Sequence, residues 1–507
     1  MNFYKDRYDA VIIGGALAGL SSALTLAEAG KTVLLLEQRN LPGGIAASFM
    51  RGGVEMDPAL FEMVPAGSKE NRQEAGKCLD DMGVEVRWQA VPEAYHASLP
   101  GIEKTLHPGF ETFAKEIDEA APGSYEKVLE LLQLCETVRD SVRALSVHPI
   151  GRAASFVQHP AYMKTIGCST AEVIETFGLP GKAVDLLNAS WVFTGSRLSD
   201  LSFPVWAVMM ADLAGSGSCV PQKYSHELSL KMTVAAEQKG VQVEYCQSAA
   251  KILVKDRHVT GVRTVRGDEI RTDCVLCMDR SCLDSVEPFS EVPTDAVRIA
   301  NSRKNGLTVF SVTLLLDNSA EALGITDCCV LLGKTADTDA ILENCKTLGP
   351  YSFLTSVCPN AASPGCTPEG TCCLSLTALP DPEGWRSVTA EDYDRIKHQL
   401  ARDLIEAMGV YYGLNLLDHI LEIVIETPMT AARFTGARNG RLFGYDHAPD
   451  GGIAVCLTRE KRGSGISGLT FISDFVQSDS GTSAQILSGR RAAEVTLGEL
   501  QKKEAAE

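Results

Sequence analysis

Residues 8–44 run from Tyr8-Asp9-Ala10-Val11-Ile12-Ile13 through Gly14-Gly15-Ala16-Leu17-Ala18-Gly19 and an alanine-rich stretch to Thr32-Val33-Leu34-Leu35-Leu36-Glu37 and Pro42-Gly43-Gly44. An apolar strand that feeds a glycine turn and then a helix is the pattern of a dinucleotide-binding βαβ unit, in which the free N–H groups of a helix N-terminus point at a pyrophosphate. Glu37 ends the second strand about 20 residues after the turn, where an acid for a ribose hydroxyl is expected. Gly14 makes the tight turn, and Gly19 lets helix and strand pack closely. Ala16 stands where the pattern carries its middle glycine, so a methyl group narrows the backbone's approach to phosphate.

A second signal lies near the other end of the chain, where Gly468-Leu469-Thr470-Phe471-Ile472-Ser473-Asp474 precedes Gly481-Thr482-Ser483-Ala484-Gln485. A strand ending on an acid is followed by a small-residue turn and another helix N-terminus, suited to an anion or an electron-rich ring edge. One chain thus offers two helix ends to one extended cofactor.

At 507 residues the chain exceeds what one hydrophobic core usually supports, so two or more domains are expected. Its formal net charge of -18 argues against nucleic-acid partners and against nonspecific attraction to anionic membranes. No run of 18 apolar residues occurs, and the first apolar run is the nucleotide strand, which points to a cytoplasmic protein. The 16 cysteines read as reduced thiols, mostly small buried side chains. Cys274 and Cys277 fall on opposite faces of an apparent strand, which suits a core better than a metal cluster with Cys282. No metal site is expected, and nine scattered histidines without ligand spacing nominate no catalytic residue.

Between the two signals, residues 124–145 carry apolar side chains at helical spacing, and Ser169 precedes a capped helix start. Pro204 to Leu213 is apolar and Met-rich: usually core, although Trp206, Met209 and Met210 would also suit a hydrocarbon pocket. A helix is expected over 225–239 with Gly240 as its stop. Strands follow at 241–245, 249–254, 259–264 and 274–278, read as rebuilding the first domain. A continuous apolar strand spans Leu307 to Leu316, and a long helix spans Ala390 to Met408. Gly333-Lys334-Thr335 ends like a phosphate loop but lacks the upstream glycine. The expected class is α/β, with a Rossmann-like domain from discontinuous segments (1–75, 222–290 and 430–507) and an α+β substrate domain with a mixed sheet and helical cap (76–221 and 291–429).

The opening fingerprint with Pro42-Gly43-Gly44, the stretch from Ala249-Ala250-Lys251-Ile252-Leu253-Val254 to Val259-Thr260-Gly261-Val262, and the segment from Asp474 to Ala493 together resemble the FAD-dependent phytoene desaturase, carotenoid isomerase and retinol saturase family, within the amine-oxidase-like flavoproteins. Thr427-Pro428-Met429-Thr430, Arg433-Phe434-Thr435-Gly436 and Asn439-Gly440-Arg441-Leu442-Phe443-Gly444 are similar to its isomerase and saturase branch. The resemblance implies FAD. It places Gly14 and Gly19 at the pyrophosphate, Glu37 on the adenosine ribose, Gly43 and Gly44 in a flanking loop, and Ala249 on adenine through its backbone. Asp474 would lie near the ribityl and phosphate portion, and the Gly481 turn would face the pyrimidine edge of the flavin. Gly15, Ala16, Ala18, Gln38, Ser483 and Ala484 complete the implied cofactor-binding set.

Three departures accompany Ala16. Ile45 stands where the family often has an arginine, Met56-Asp57-Pro58-Ala59-Leu60 lacks the usual glycine and proline after its aspartate, and Gln222 to Ser225 lacks a glycine pair common after Pro221.

A flavin moves a hydride at N5, and the protein's task is to hold a bond against it and exclude water. The resemblance therefore implies desaturation, saturation or isomerisation of a carbon–carbon double bond in a lipophilic polyene or isoprenoid-like substrate. An apolar tunnel should then reach the cofactor. Two alternatives stand beside it: an amine-oxidase-like enzyme with an aromatic cage, and a non-catalytic binding protein on the same fold. With no second nucleotide fingerprint, electrons would come from transient NAD(P)H, from another donor or acceptor, or from the substrate. Peripheral membrane contact would serve lipid delivery, though no basic amphipathic helix declares it.

Overall fold

The computed structural model describes residues 4–57, 72–147, 150–302, 306–441, 464–475 and 481–504. Five parallel strands form the first sheet, in the order Leu469–Phe471, Val275–Cys277, Ala10–Ile13, Val33–Leu36, Gln242–Glu244. Val11, Leu34 and Val275 face one core while Ile12, Leu35 and Leu276 face another, so both sides of the sheet are covered. That two-sided burial explains why the strands read as unbroken apolar runs.

The helices Leu17–Glu28, Tyr224–Gln238 and Thr482–Glu504 pack on one face. The first and last of these meet closely. A Cβ on Gly489 would lie 2.1 Å from the Ala18 carbonyl oxygen, and the Ser22 hydroxyl donates to the Gly489 carbonyl at 2.8 Å.

Not all the central strands rebuild this sheet. Only Gln242–Glu244 and Val275–Cys277 join it; Ala249–Lys255, His258–Thr264, Glu269–Arg271 and Val286–Glu287 form a separate four-stranded sheet on its other face. Asp256 and Arg257 take φ of 51° and 59°, the tight two-residue turn that folds a strand back on itself instead of onto a distant partner.

A mixed seven-stranded sheet runs Ile420–Glu426, Phe310–Leu316, Cys372–Ala378, Phe353–Val357, Cys329–Gly333, Tyr95–Leu99, Ile102–Leu106. One face is covered by the Ala390–Tyr412 helix, started by the Thr389 hydroxyl cap. The other is covered by helices that include Tyr125–Val147 and Phe203–Ser216. The apolar strand expected from Leu307 begins at Phe310, and all seven of its residues are buried. The cap at Ser169 is a full capping box with Glu172.

The Met-rich helix is core, the first of the two readings open to it: Trp206 and Met210 are fully buried, and the Trp206 indole donates to the Ser190 hydroxyl at 3.0 Å. One expectation changes. Cys277 and Cys282 are joined in a disulfide, because the turn at Arg280–Ser285 brings the second cysteine back over the strand end, so the thiols are not all free. Among the described residues no helix is long and apolar enough to cross a membrane, and no group of three or more potential ligands could hold a metal ion.

Candidate cofactor site

The parallel sheet is in register at one edge. Ile13 pairs with Leu36 and Cys277, Leu36 with Glu244, and Cys277 with Phe471, so all five carboxyl ends finish together. Open α/β sheets bind ligands in the crevice beyond that edge. Gly14, Glu37, Met278 and Ile472 are the first residues past four of those ends.

Gly14, at φ 105°, donates its N–H to the Leu36 carbonyl at 2.9 Å. A Cβ there would meet nothing within 4 Å, so the space in front of the turn is open. Gly19 has the opposite character. A Cβ on it would lie 2.0 Å from the Gly14 carbonyl oxygen, which makes it the contact that lets the helix seat on the turn. The helix beginning at Leu17 has no side-chain cap and no acid in its first turn, which leaves its first N–H groups, including that of Ala18, to a ligand.

Ala16 turns out to be accommodated by its neighbours. It bridges to Gly43, whose N–H donates to the Gly15 carbonyl at 2.8 Å. A Cβ on Gly44 would stand 3.0 Å from the Ala16 Cβ, so the methyl takes room that Gly44 leaves free. Gly43, at φ 108°, also lies against Ser229 of the Tyr224–Gln238 helix.

Glu37 is buried and holds the turn. One carboxylate oxygen accepts from the Gly15 N–H at 2.7 Å and the other from the Arg39 N–H at 2.7 Å. Each oxygen keeps a second lone pair for a ribose hydroxyl.

Arg39 is the residue that sequence reasoning missed. Its guanidinium donates to the Gly44 carbonyl at 3.1 Å and stacks over the Phe434 ring at 4.4 Å. Burial pulls its pKa down from the ordinary value, opposed by Glu37 and Glu426. A cation therefore does stand against the Gly43–Gly44 turn, although Ile45 does not supply it. The available signal was its place two residues after Glu37, just past the strand end. Gln38 reaches the same helix, with its amide 3.4 Å from the Phe434 carbonyl oxygen. Thus the Pro428–Thr435 segment, singled out for branch resemblance, lands on the nucleotide turn.

The remaining positions lie further out. Ala249 opens the four-stranded sheet, two residues beyond Gln247, whose N–H donates to the Glu37 carbonyl at 2.9 Å. The backbone of Asp474 lies in the turn Ile472–Phe475, where the Ser473 N–H donates to the Met278 carbonyl at 2.8 Å; its side chain is outside the described set. Gly481, at φ 89°, precedes the closing helix, with Ser483 and Ala484 buried in its first turn. Residues 58–60 and 442–444, named in the resemblance, lie outside the described residues.

These features fit an extended dinucleotide. Two helix N-termini serve one sheet edge, and the buried hydroxyls of Ser473 and Thr482 have no hydrogen-bond partner among the described residues. Polar atoms so placed are expected to meet a ligand or water.

A cavity of about 720 Å³ in the substrate half is a different place. It is lined by Leu99, Ile174, Leu179 and Val184 with Asp185, Lys334 and Asp337, and by no residue of the nucleotide segments, so it is not the expected apolar tunnel. Asp337 caps the helix after Lys334, which fills the N-terminus a phosphate loop would need.

The sequence model of flavin-containing amine oxidoreductases matches residues 17–497. The chain belongs to that family. This family member is similar to prolycopene isomerase of Daucus carota, 21% identical over 95% of this chain and 79% of that protein. It is also similar to the all-trans-retinol 13,14-reductase of Danio rerio, 22% identical over 87% and 78%, and to 4,4'-diapolycopene oxygenase of Methylomonas sp, 22% identical over 98% and 99%. In fold it matches putrescine oxidase bound to putrescine, with TM-score 0.62, 13% identity and coverage of 97% and 99%. The protein is thus a flavin-dependent oxidoreductase with an α/β nucleotide half and a mixed-sheet substrate half.

Proposed function

We propose that this flavoprotein acts on a carbon–carbon double bond of a lipophilic polyene or isoprenoid-like substrate. The observation that carries the reading is the pairing of an in-register parallel sheet edge, with an open glycine turn at Gly14, with relatives named for prolycopene, retinol and diapolycopene. FAD, when bound, supplies hydride exchange at N5.

The chain's own residues do the holding. Glu37 takes the ribose, the uncapped helix at Leu17 takes the pyrophosphate, and Arg39 keeps positive charge at the Gly43–Gly44 turn. The helix after Gly481 offers its positive end to the flavin's pyrimidine edge, favouring the anionic reduced ring. Electrons beyond a single turnover would come from a docking nicotinamide, from a protein donor, or from the substrate itself. An amine substrate is less well served, since Trp191, Trp206 and Trp385 are all locked in substrate-half cores.

The test is the visible spectrum of the purified protein, followed by denaturation and identification of the released cofactor. Bands near about 370 and 450 nm with FAD released are expected. A colourless protein that cannot be reconstituted would overturn the reading in favour of the non-catalytic alternative.

A further inference from the structure

Asp57 follows the hairpin formed by Phe49–Arg51 and Val54–Met56, at the seam between the two halves of the molecule. It is 8% exposed. One carboxylate oxygen, Oδ1, accepts both hydrogen bonds from Ser225, that of the backbone N–H at 2.9 Å and that of the hydroxyl. Ser225 sits in the first turn of the Tyr224–Gln238 helix, and one turn further on Ser229 of the same helix meets Gly43. The carboxyl is thereby tied to the nucleotide turn by one rigid element.

Tyr224 is what aims that helix. Its φ is 61°, a left-handed conformation rare for a bulky residue, at the place where the resembling family carries a glycine pair. Its hydroxyl is pinned on the Cys366 carbonyl. Strained backbone over-determined by its surroundings gathers at working sites.

Resting on the flavin reading, we propose that Asp57 is the proton-exchanging group of the reaction. In the saturating direction the π bond breaks, one carbon receives a hydride from reduced flavin and its neighbour receives the Asp57 proton. Reduced FAD would supply that hydride and end oxidised, and Asp57 would end as a carboxylate that regains its proton from water before the next turnover. Desaturation is the reverse: the carboxylate takes the proton and oxidised flavin takes the hydride.

The electrostatics agree. Burial pushes the Asp57 carboxyl up to about 7, against the Ser225 donors and the positive end of the helix, which favour the ionised form. Among the described residues, the charged and titratable groups facing it are Glu55 on its own hairpin, Tyr224 on the helix, Cys366 on the loop after Pro364, and Cys373 on the sheet. Burial pushes both thiols up to about 12, so near neutral pH they are uncharged and leave Glu55, among the described residues, as the anion that works against ionisation. A general acid or base is most effective when its pKa lies near the working pH.

The experiment uses the FAD-loaded protein and three forms: native, Asp57→Asn and Ser225→Ala. Dithionite-reduced samples are mixed without oxygen with all-trans-retinol or with prolycopene, and flavin re-oxidation is followed from pH 5 to 9. In parallel, thermal unfolding and the infrared carbonyl band of protonated carboxyls are recorded over the same range, extended to pH 4. The Asn variant should keep its FAD, lose roughly 100- to 10,000-fold in rate, and lose the pH-dependent limb near 7. The folded pKa lies above the unfolded one, so native stability should fall relative to Asp57→Asn as pH rises from about 4 to about 7. Ser225→Ala, which loses a donor to the carboxylate, should move the limb and the infrared titration to higher pH, and serves if the Asn variant does not fold. An unchanged rate profile, or a carbonyl band that shows Asp57 ionised from pH 5 upward, overturns the proposal; where neither polyene reacts, the band alone decides. Absence of FAD would instead defeat the flavin reading.

Discussion

Glu37 and Gly19 show how differently two fingerprint residues act. The Glu37 carboxylate is already engaged by the Gly15 and Arg39 N–H groups, so it is held rigidly where a ribose would find it. Glu37→Ala removes a ribose partner and also leaves the Gly15 N–H without its acceptor. A charged hydrogen bond is worth about 1.5–3 kcal/mol, so FAD affinity should fall roughly ten- to a hundred-fold. Equilibrium dialysis of the apoprotein against FAD measures this, and unchanged affinity would remove Glu37 from the ribose site. Gly19 needs no ligand to explain it, because any Cβ would strike the Gly14 carbonyl.

Among the elements, the pair of helices Leu17–Glu28 and Thr482–Glu504 joins the two ends of the chain. Their approach depends on Gly489 lying on Ala18 and on the Ser21 and Ser22 hydroxyls donating to Ile486 and Gly489 carbonyls at 2.6 and 2.8 Å. Gly489→Val should force the helices apart, cost about 1–3 kcal/mol of stability as overpacking does, and speed FAD release, since both N-termini serve the same edge. Thermal unfolding and the rate of flavin fluorescence recovery on dilution measure the two effects. Loss of stability with unchanged FAD release would mean that the closing helix does not touch the cofactor. Tyr224–Gln238 acts in the same way, through Ser229 on Gly43 and Ser225 on Asp57.

Across the whole molecule, the cofactor and fold should be thermodynamically linked, because three separate stretches of chain supply the five-stranded sheet. A ligand at a hundred times its Kd adds about 2.7 kcal/mol to the stability of the state that binds it. Stripping FAD should therefore lower Tm by several degrees, and adding it back should restore Tm in proportion to the logarithm of its concentration. A Tm insensitive to FAD would place the flavin outside the crevice.

Much of the fold was legible in the chain because its signals are local. The apolar run into Gly14, the spacing to Glu37, the capping box at Ser169 and the all-buried strand at Phe310–Leu316 are set by residues close in sequence, through backbone sterics and two-sided burial. Sheet membership was not local. Whether 249–264 paired with the first sheet or with itself depended on the turn at Asp256–Arg257 competing with strands hundreds of residues away. The same is true of the site's chemistry. Ala16 reads as an obstacle until Gly44 is seen to leave it room, Ile45 reads as a lost cation until Arg39 is found on the same turn, and Asp57 reads as a family remnant until Ser225 and Tyr224 close around it. The sequence by itself determined the fold class and the glycine turn, since those follow from short-range conformational limits, while its resemblance to a flavoprotein family implied the cofactor. Only the tertiary structure decided which side chains compensate for the departures and which carboxyl is desolvated, because burial and long-range contact exist only once distant segments have packed together.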